Sequence, residues 1–231
     1  MRFKTIFLDA GGVLVYPNWD RAAETLGRHG VQVAAAALAA AEPAVKRQLD
    51  VAPTVRATSD EQRGFLYFDL ILERAGIPRS AATRAALAEL KAFHDRDNTW
   101  DAVPDDVLPA LRRLKPGGLR IVIVSNTQST LRRAFDRRGL TPLVDMIVAS
   151  EEEGVEKPAA RLFQIALERS GSDAASTIHC GDMYEVDIVG ARSAGLPAVL
   201  LDPAGMYDGV DCPRVASLTE LVDGLLAGRF D

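Results

Sequence analysis

The chain has 231 residues, 48% of them apolar and 26% charged, with 18 Gly and 12 Pro; this suffices for one large domain or a core carrying a smaller insert, and excludes disordered, collagenous and disulfide-scaffold classes. Lys plus Arg number 27 against 32 Asp plus Glu, a net charge of −5, so there is no global basic field for a polyanion and nucleic acid is not expected as a partner. Two cysteines, Cys180 and Cys212, cannot staple a fold of this size and fit a reducing compartment.

Phe3–Leu8 is a short apolar run and predicts a buried strand. Its basic start resembles a signal peptide, but Asp9, Gly11 and Gly12 interrupt it before it reaches the needed length. From Tyr16 to Asp97 no strand is predicted. This stretch is rich in Ala, Leu, Glu and Arg, with Ser80 as a helix start ahead of Ala85, Ala86, Leu90 and Phe93, and an Ala-rich helix around Ala34–Ala41. The weakly polar run Val31–Ala41 is shorter than the ~18 residues of a spanning helix. A cytoplasmic protein without a membrane partner is therefore expected. The polar flanks Tyr16-Pro17-Asn18-Trp19 and Asp95–Trp100 read as the two linkers of an inserted, all-helical domain.

From about residue 104, strand and helix patterns alternate. Arg120–Val124, Val144–Ala149, Ser176–Cys180 and Ala198–Leu201 predict strands. Leu162, Phe163, Ala166 and Leu167 predict a helix with Pro158 at its first position; Leu218, Leu221, Val222 and Leu225 predict another. The alternation implies an α/β fold, a Rossmann-like, doubly wound parallel sheet with helices on both faces. The expected division is a core of residues 1–15 and 98–231 and a helical domain of residues 16–97.

In such a sheet the carboxyl ends of the strands share one edge, where ligands bind. The residues that follow the strands are Asp9-Ala10-Gly11-Gly12-Val13, Ser125-Asn126-Thr127, Glu156-Lys157-Pro158, and Gly181-Asp182 through Asp187. Singly each has an ordinary explanation: a turn, a helix cap, a solvated lysine, a helix-start carboxylate. Together and in order they suit phosphoryl transfer. Asp9 can attack phosphorus. Ser125, with the amides of Asn126 and Thr127 at a helix start, can hold phosphate oxygens. Lys157 can neutralise charge. Asp9 and Asp182, with a backbone carbonyl, make a hard-oxygen site suited to Mg²⁺.

On these residues the chain resembles the haloacid dehalogenase-like hydrolase superfamily, in the subgroup with a small helical cap. Asp9, Ser125, Lys157 and Gly181-Asp182 through Asp187 fall on its motifs in order. The resemblance implies a Mg²⁺-dependent phosphatase of a small phosphorylated metabolite, working through an aspartyl-phosphate at Asp9. Asp9 and Lys157 would be catalytic. Ser125, Asn126 and Lys157 would bind phosphate, Asp9, the Gly11 carbonyl and Asp182 would bind metal, and Asp187 would support them. A monomer or homodimer is expected. One departure matters: the family's first motif is Asp-x-Asp-Gly-Thr, and its second Asp, the general acid and base, is Gly11 here, with Val13 for the Thr. General acid–base help is worth about 10²–10⁴ in rate. A leaving group that needs no proton, or another acid, answers this. So does a 2-haloacid dehalogenase, a phosphonate hydrolase with Lys46 as its Schiff-base lysine, or a non-catalytic relative that binds phosphate or a partner.

The remaining polar residues read as structural. His29, His94 and His179 lack metal-ligand spacing, and His179, inside a strand, reads as a core histidine. Cys180 reads as a packed thiol, Glu151-Glu152-Glu153 as a solvated loop, and Trp19 and Trp100 as packing anchors of the linkers. Lys46, Arg47, Arg56 and Arg63 can meet an anionic substrate, although such charges on helices are usually solvated.

Overall fold

The computed structural model describes residues 2–230. Strand β1 (Thr5–Leu8) leads to a two-residue strand β2 (Tyr16–Pro17), then to helices α1 (Trp19–Arg28), α2 (Ala35–Leu49), α3 (Ala52–Ala57), α4 (Asp60–Arg74) and α5 (Ala81–Asp97). Strand β3 (Trp100–Ala102) follows and pairs antiparallel with β2. Helix α6 (Val107–Leu114), β4 (Arg120–Ser125), α7 (Thr130–Arg137), β5 (Met146–Ala149), α8 (Ser150–Glu153), α9 (Ala160–Ser170) and β6 (Thr177–Gly181) come next. The chain ends with α10 (Val189–Ser193), β7 (Ala198–Leu201), β8 (Arg214–Val215) and α11 (Leu218–Leu226).

Six strands form a parallel sheet in the order β5-β4-β1-β6-β7-β8. Every residue of β1 is buried, as expected of a central strand covered on both faces. Side chains alternate between the faces. Ile6 and Leu8 join Ile121, Ile123 and Ile178 in one cluster with α6 and α11; Phe7 joins Val122, Val124 and Leu200 in the other with α9 and α10. The helix stripes fit this plan: Leu162, Phe163 and Ala166 are buried, as are Leu218, Leu221, Val222 and Leu225.

The α/β expectation is met, with local corrections. Pro158 is not the first residue of a helix; it lies in a turn after Lys157, and α9 begins at Ala160. Tyr16–Pro17 is a strand where none was predicted, because two residues that include a proline fall below the length at which alternation is visible. α2 runs to Leu49, well beyond the Ala-rich stretch. Helices α4 and α5 each open with a capping box, at Ser59 with Gln62 and at Ser80 with Thr83.

Helices α1, α2, α4 and α5 enclose a third cluster around Leu26, Leu38, Val45, Tyr67, Ile71 and Leu90. Trp100 packs against this cluster and against the sheet's first one. Its ring lies 5.8 Å from Tyr67, which in turn stacks 6.2 Å from Trp19, in line with the anchoring expected of both tryptophans. At the end of α5, Asn98 takes a positive φ of 68° that turns the chain into β3. Buried Asp101 accepts hydrogen bonds from Asn18 and Arg21 and pairs with Arg138, tying α1 to the sheet side of the molecule.

Candidate functional site

Parallel register brings the strand ends to one edge. Leu8 pairs with Ile123 on one side and Cys180 on the other, so Asp9, Ser125 and Gly181-Asp182 emerge together. Two glycines permit the approach. Gly12 has φ 70°, and a Cβ there would collide with the Asp182 carboxylate; a Cβ at Gly181 would collide with Asp187. The loop after β1 thus closes directly onto the loop after β6.

Lys157 organises the centre. It is fully buried, with Nζ 2.9 Å from Asp9 Oδ1 and 2.6 Å from Asp187 Oδ1. Asp187 also accepts from the Met183 amide at 3.1 Å and lies 3.1 Å from His179 Nε2. Burial opposes the Asp187 charge, but Lys157 and His179 hold the carboxyl well below its ordinary range. Burial likewise opposes the Lys157 charge, and the two carboxylates keep its pKa above the usual lysine value. At Asp9 burial is the largest influence and pushes the pKa up, against Lys157 and the Ser125 hydroxyl.

The lysine's backbone is fixed by Asn126. Its Oδ1 accepts from the Lys157 amide at 2.7 Å, and its Nδ2 donates to the Lys157 carbonyl at 3.0 Å. The expected helix start at Asn126-Thr127 is corrected: α7 begins at Thr130, and the Thr127 amide donates to Ser150 Oγ at 3.0 Å. The Asn126 side chain is therefore engaged chiefly with Lys157, with a longer contact from Nδ2 to Asp60. Ser125 is the buried last residue of β4, beside Asp9.

Asp9, Asp182 and Asp187 each place a carboxylate oxygen within 4.8 Å of the others. The hydrogen bonds and ion pairs of Asp187 engage both its oxygens, which leaves Asp9 and Asp182 as the facing pair. Asp182 is pushed up to about 7, first by burial and then by Asp187 and Asp9, with Lys46 opposing. Two carboxylates, one buried and one half-buried, that resist ionising next to each other are a fitting cradle for a hard divalent cation. Gly11 contributes no side chain. A Cβ there would lie 3.4 Å from the Trp100 ring, so the indole borders the place where an acidic side chain would start.

Helical residues that looked like ordinary surface charges reach this edge. Lys46 Nζ sits 2.7 Å from Asp182 Oδ2. Asp50, singled out by nothing in the sequence, is 2% exposed and accepts from the Tyr184 and Glu185 amides and the Tyr207 hydroxyl. Their four-residue spacing was the available signal, but charges at that spacing are common on solvated helices. Arg63, in contrast, is buried against the Thr58 and Val55 carbonyls and Asp60, and Arg47 lies over the Tyr207 ring. Arg56 donates to the Ala52 carbonyl at the surface. His179 is a core histidine as expected, but with a site contact: Nε2 meets Asp187, while among the described residues Nδ1 has no hydrogen-bond partner. The Glu151–Glu153 stretch is a short helix rather than a loop, its side chains engaged by the Ser129 amide, Arg132 and Arg169.

No helix among the described residues is long and apolar enough to cross a membrane. A sequence model described as haloacid dehalogenase-like hydrolase matches residues 3–195. Among curated proteins, the ribulose-1,5-bisphosphate 5-phosphatase of Halopiger xanaduensis is 35% identical over 168 residues, 72% of this chain and 69% of that protein. The glyceraldehyde 3-phosphate phosphatase of Methanopyrus kandleri is 32% identical over 150 residues, 64% of this chain and 62% of the relative. Among solved structures, magnesium-bound YfnB of Bacillus subtilis superposes with a TM-score of 0.72 at 20% identity, covering 97% of this chain and 99% of its own.

Proposed function

Because the chain belongs to the haloacid dehalogenase-like hydrolase family, we propose that it is a Mg²⁺-dependent phosphoric monoester hydrolase acting in the cytoplasm on a small phosphorylated metabolite. The observation that carries this reading is the Asp9 carboxylate at the end of β1, held 2.9 Å from the buried Lys157 ammonium and facing Asp182. The two relatives named for phosphatase activity on sugar-type phosphates support the substrate class.

In this reading an Asp9 oxygen attacks phosphorus as the ester P–O bond breaks and the substrate's oxygen leaves with the bonding electrons; water then attacks the aspartyl-phosphate, releasing inorganic phosphate and regenerating the Asp9 carboxylate. Lys157 neutralises charge on the nucleophile and on the bound phosphate, and Asp187 with His179 keeps its ammonium aimed at Asp9. Ser125 offers its hydroxyl to a phosphate oxygen, and Asn126 serves by fixing Lys157. Asp9, the Gly11 carbonyl and Asp182 would hold Mg²⁺, which when bound offsets the repulsion between carboxylates and the anionic substrate. Residues 16–97 act as a cap over a core of residues 1–15 and 98–231, closing the strand ends to water.

Without a carboxylate at position 11, the reading favours substrates whose leaving oxygen departs with little protonation. That same feature favours the second reading, a 2-haloacid dehalogenase, since halide leaves without a proton. The phosphonate reading is disfavoured because the Lys46 amine is engaged in an ion pair with Asp182. The test is phosphate release from p-nitrophenyl phosphate with Mg²⁺, expected for the native protein and reduced to background by Asp9→Asn. Chloride release from 2-chloropropionate without phosphate release would instead establish the dehalogenase. Silence in both assays with retained Mg²⁺ and phosphate binding would establish a binding protein.

A further inference from the structure

The last turn of α2 meets the loop after β6 at two separate points. Lys46 Nζ is 2.7 Å from Asp182 Oδ2. One turn later, Asp50 Oδ2 accepts from the Tyr184 amide at 2.5 Å and from the Tyr207 hydroxyl at 2.7 Å, and Oδ1 accepts from the Glu185 amide at 2.9 Å. The two residues are held at fixed spacing, since the Asp50 amide closes the helix by donating to the Lys46 carbonyl at 2.9 Å. The Tyr184 and Glu185 amides open the turn over Tyr184–Ile188 that leads into α10. N–H groups at such a start have no partner within their own turn. Asp50 satisfies them from another part of the chain, as an N-cap supplied across the interface.

We propose that Lys46 and Asp50 form a two-point clamp through which the helical region positions Asp182. Asp50 is a positioning residue: it fixes the backbone two and three residues after Asp182 and touches neither Asp9 nor Lys157 in the hydrogen bonds it makes. Lys46 is the exchangeable jaw, an ammonium on the carboxylate that would help hold a divalent cation. The two therefore act on cation binding with opposite sign. Loss of Asp50 loosens the ligand and weakens binding; loss of Lys46 removes a competing charge and strengthens it. Generic damage to the helices would weaken binding in both cases.

This inference rests on the reading of Asp182 as a cation ligand, and the experiment separates the two. Mg²⁺ alone is titrated calorimetrically into the native protein, Asp50→Asn, Lys46→Met and Glu89→Gln, the last removing the Arg28 and His29 pairing on α5 far from the clamp. Asp50→Asn is expected to raise the Mg²⁺ dissociation constant about tenfold, the usual cost of losing a group that orients a metal ligand. Lys46→Met should lower it, and Glu89→Gln should leave it unchanged. Amide exchange is followed in parallel and should accelerate at Tyr184 and Glu185 in Asp50→Asn. If Asp50→Asn folds poorly, Tyr207→Phe, which removes one of three donors, should show the same shifts in smaller measure. Unchanged Mg²⁺ affinity and unchanged exchange at 184 and 185 would overturn the clamp while leaving the metal reading intact, as would weaker binding in Lys46→Met. A native protein that binds no Mg²⁺ would overturn the metal reading, and the clamp would then stand or fall on the exchange of those two amides.

Discussion

Around the strand ends the polar groups are joined to one another: half-buried Asp9 after β1, buried Lys157 in the loop after α8, and buried Asp187 and His179 on the β6 side form one chain of contacts. The helices over residues 19–97 are built otherwise. They have their own apolar cluster and their own caps, and they reach the edge through Lys46 and Asp50, with Asp60 contacting Asn126 and Glu156. In the first region, loss of Lys157 leaves two carboxylates without their counter-charge. The second meets the edge through side chains carried on helices that pack on one another. The two regions therefore differ in how far their charges depend on one another.

The largest test of that contrast is Lys157→Met. Removing one partner of a buried ion pair costs about 3–5 kcal/mol, and here two carboxylates lose their counter-charge at once. A denaturant titration at pH 7 should show destabilisation of that order, shrinking toward low pH as Asp9 and Asp187 are protonated. A loss below about 1 kcal/mol would mean that the sheet edge is no more interdependent than the helices.

Gly11→Asp sharpens the contrast from the chemical side. Gly11 is not in the left-handed region, and a Cβ there makes an ordinary 3.4 Å contact with Trp100, so neither the backbone nor the first side-chain atom opposes the substitution. It should raise turnover of alkyl phosphates by about 10²-fold, the lower end of general acid help, and that of aryl phosphates much less. Equal rates in a comparison of the two substrate types would mean that another group already supplies the proton.

The same contrast explains what the sequence discloses. Asp9, Lys157, Asp182 and Asp187 could be picked out because each follows a short apolar run, and in a parallel sheet that position alone implies a shared edge. Lys46 and Asp50 could not be ranked above their neighbours. A helix carries charges at four-residue spacing for many reasons, and which face docks on the sheet is decided by packing between regions distant in the chain. Pro158 and Asn126 show a related effect: both carry local helix-start signals, yet tertiary contacts of Lys157 with Asn126 place them in turns. β2 escaped because a two-residue strand with a proline has no periodicity to read.

Asp50 gives a pH test of the joint between the regions. Burial pushes its carboxyl from 3.8 up to about 6, against hydrogen bonds from Tyr207, Glu185 and Tyr184. Between those values the native state binds more protons than the unfolded chain. The stability this group contributes is therefore fully present below about pH 4 and is lost as pH rises through about 6, by roughly 3 kcal/mol in all. Asp182 adds a slope of the same sign. Asp50→Asn should flatten the decline between pH 4 and 6 in chelator-treated protein and leave the part due to Asp182. An unaltered profile would show that the joint does not hold a proton.

The smallest expected effect is the most selective. Ser80 caps α5 through its hydrogen bonds with Thr83, on a different helix from Lys46 and Asp50. Ser80→Ala should cost about 1 kcal/mol, the usual worth of such a cap. If the helices influence the sheet edge only through how α2 docks, fraying the start of α5 lowers the unfolding midpoint while leaving kcat and the Mg²⁺ dissociation constant of the folded protein unchanged. A parallel fall in kcat would mean that the whole helical cluster, and not one turn of α2, sets the geometry at Asp182.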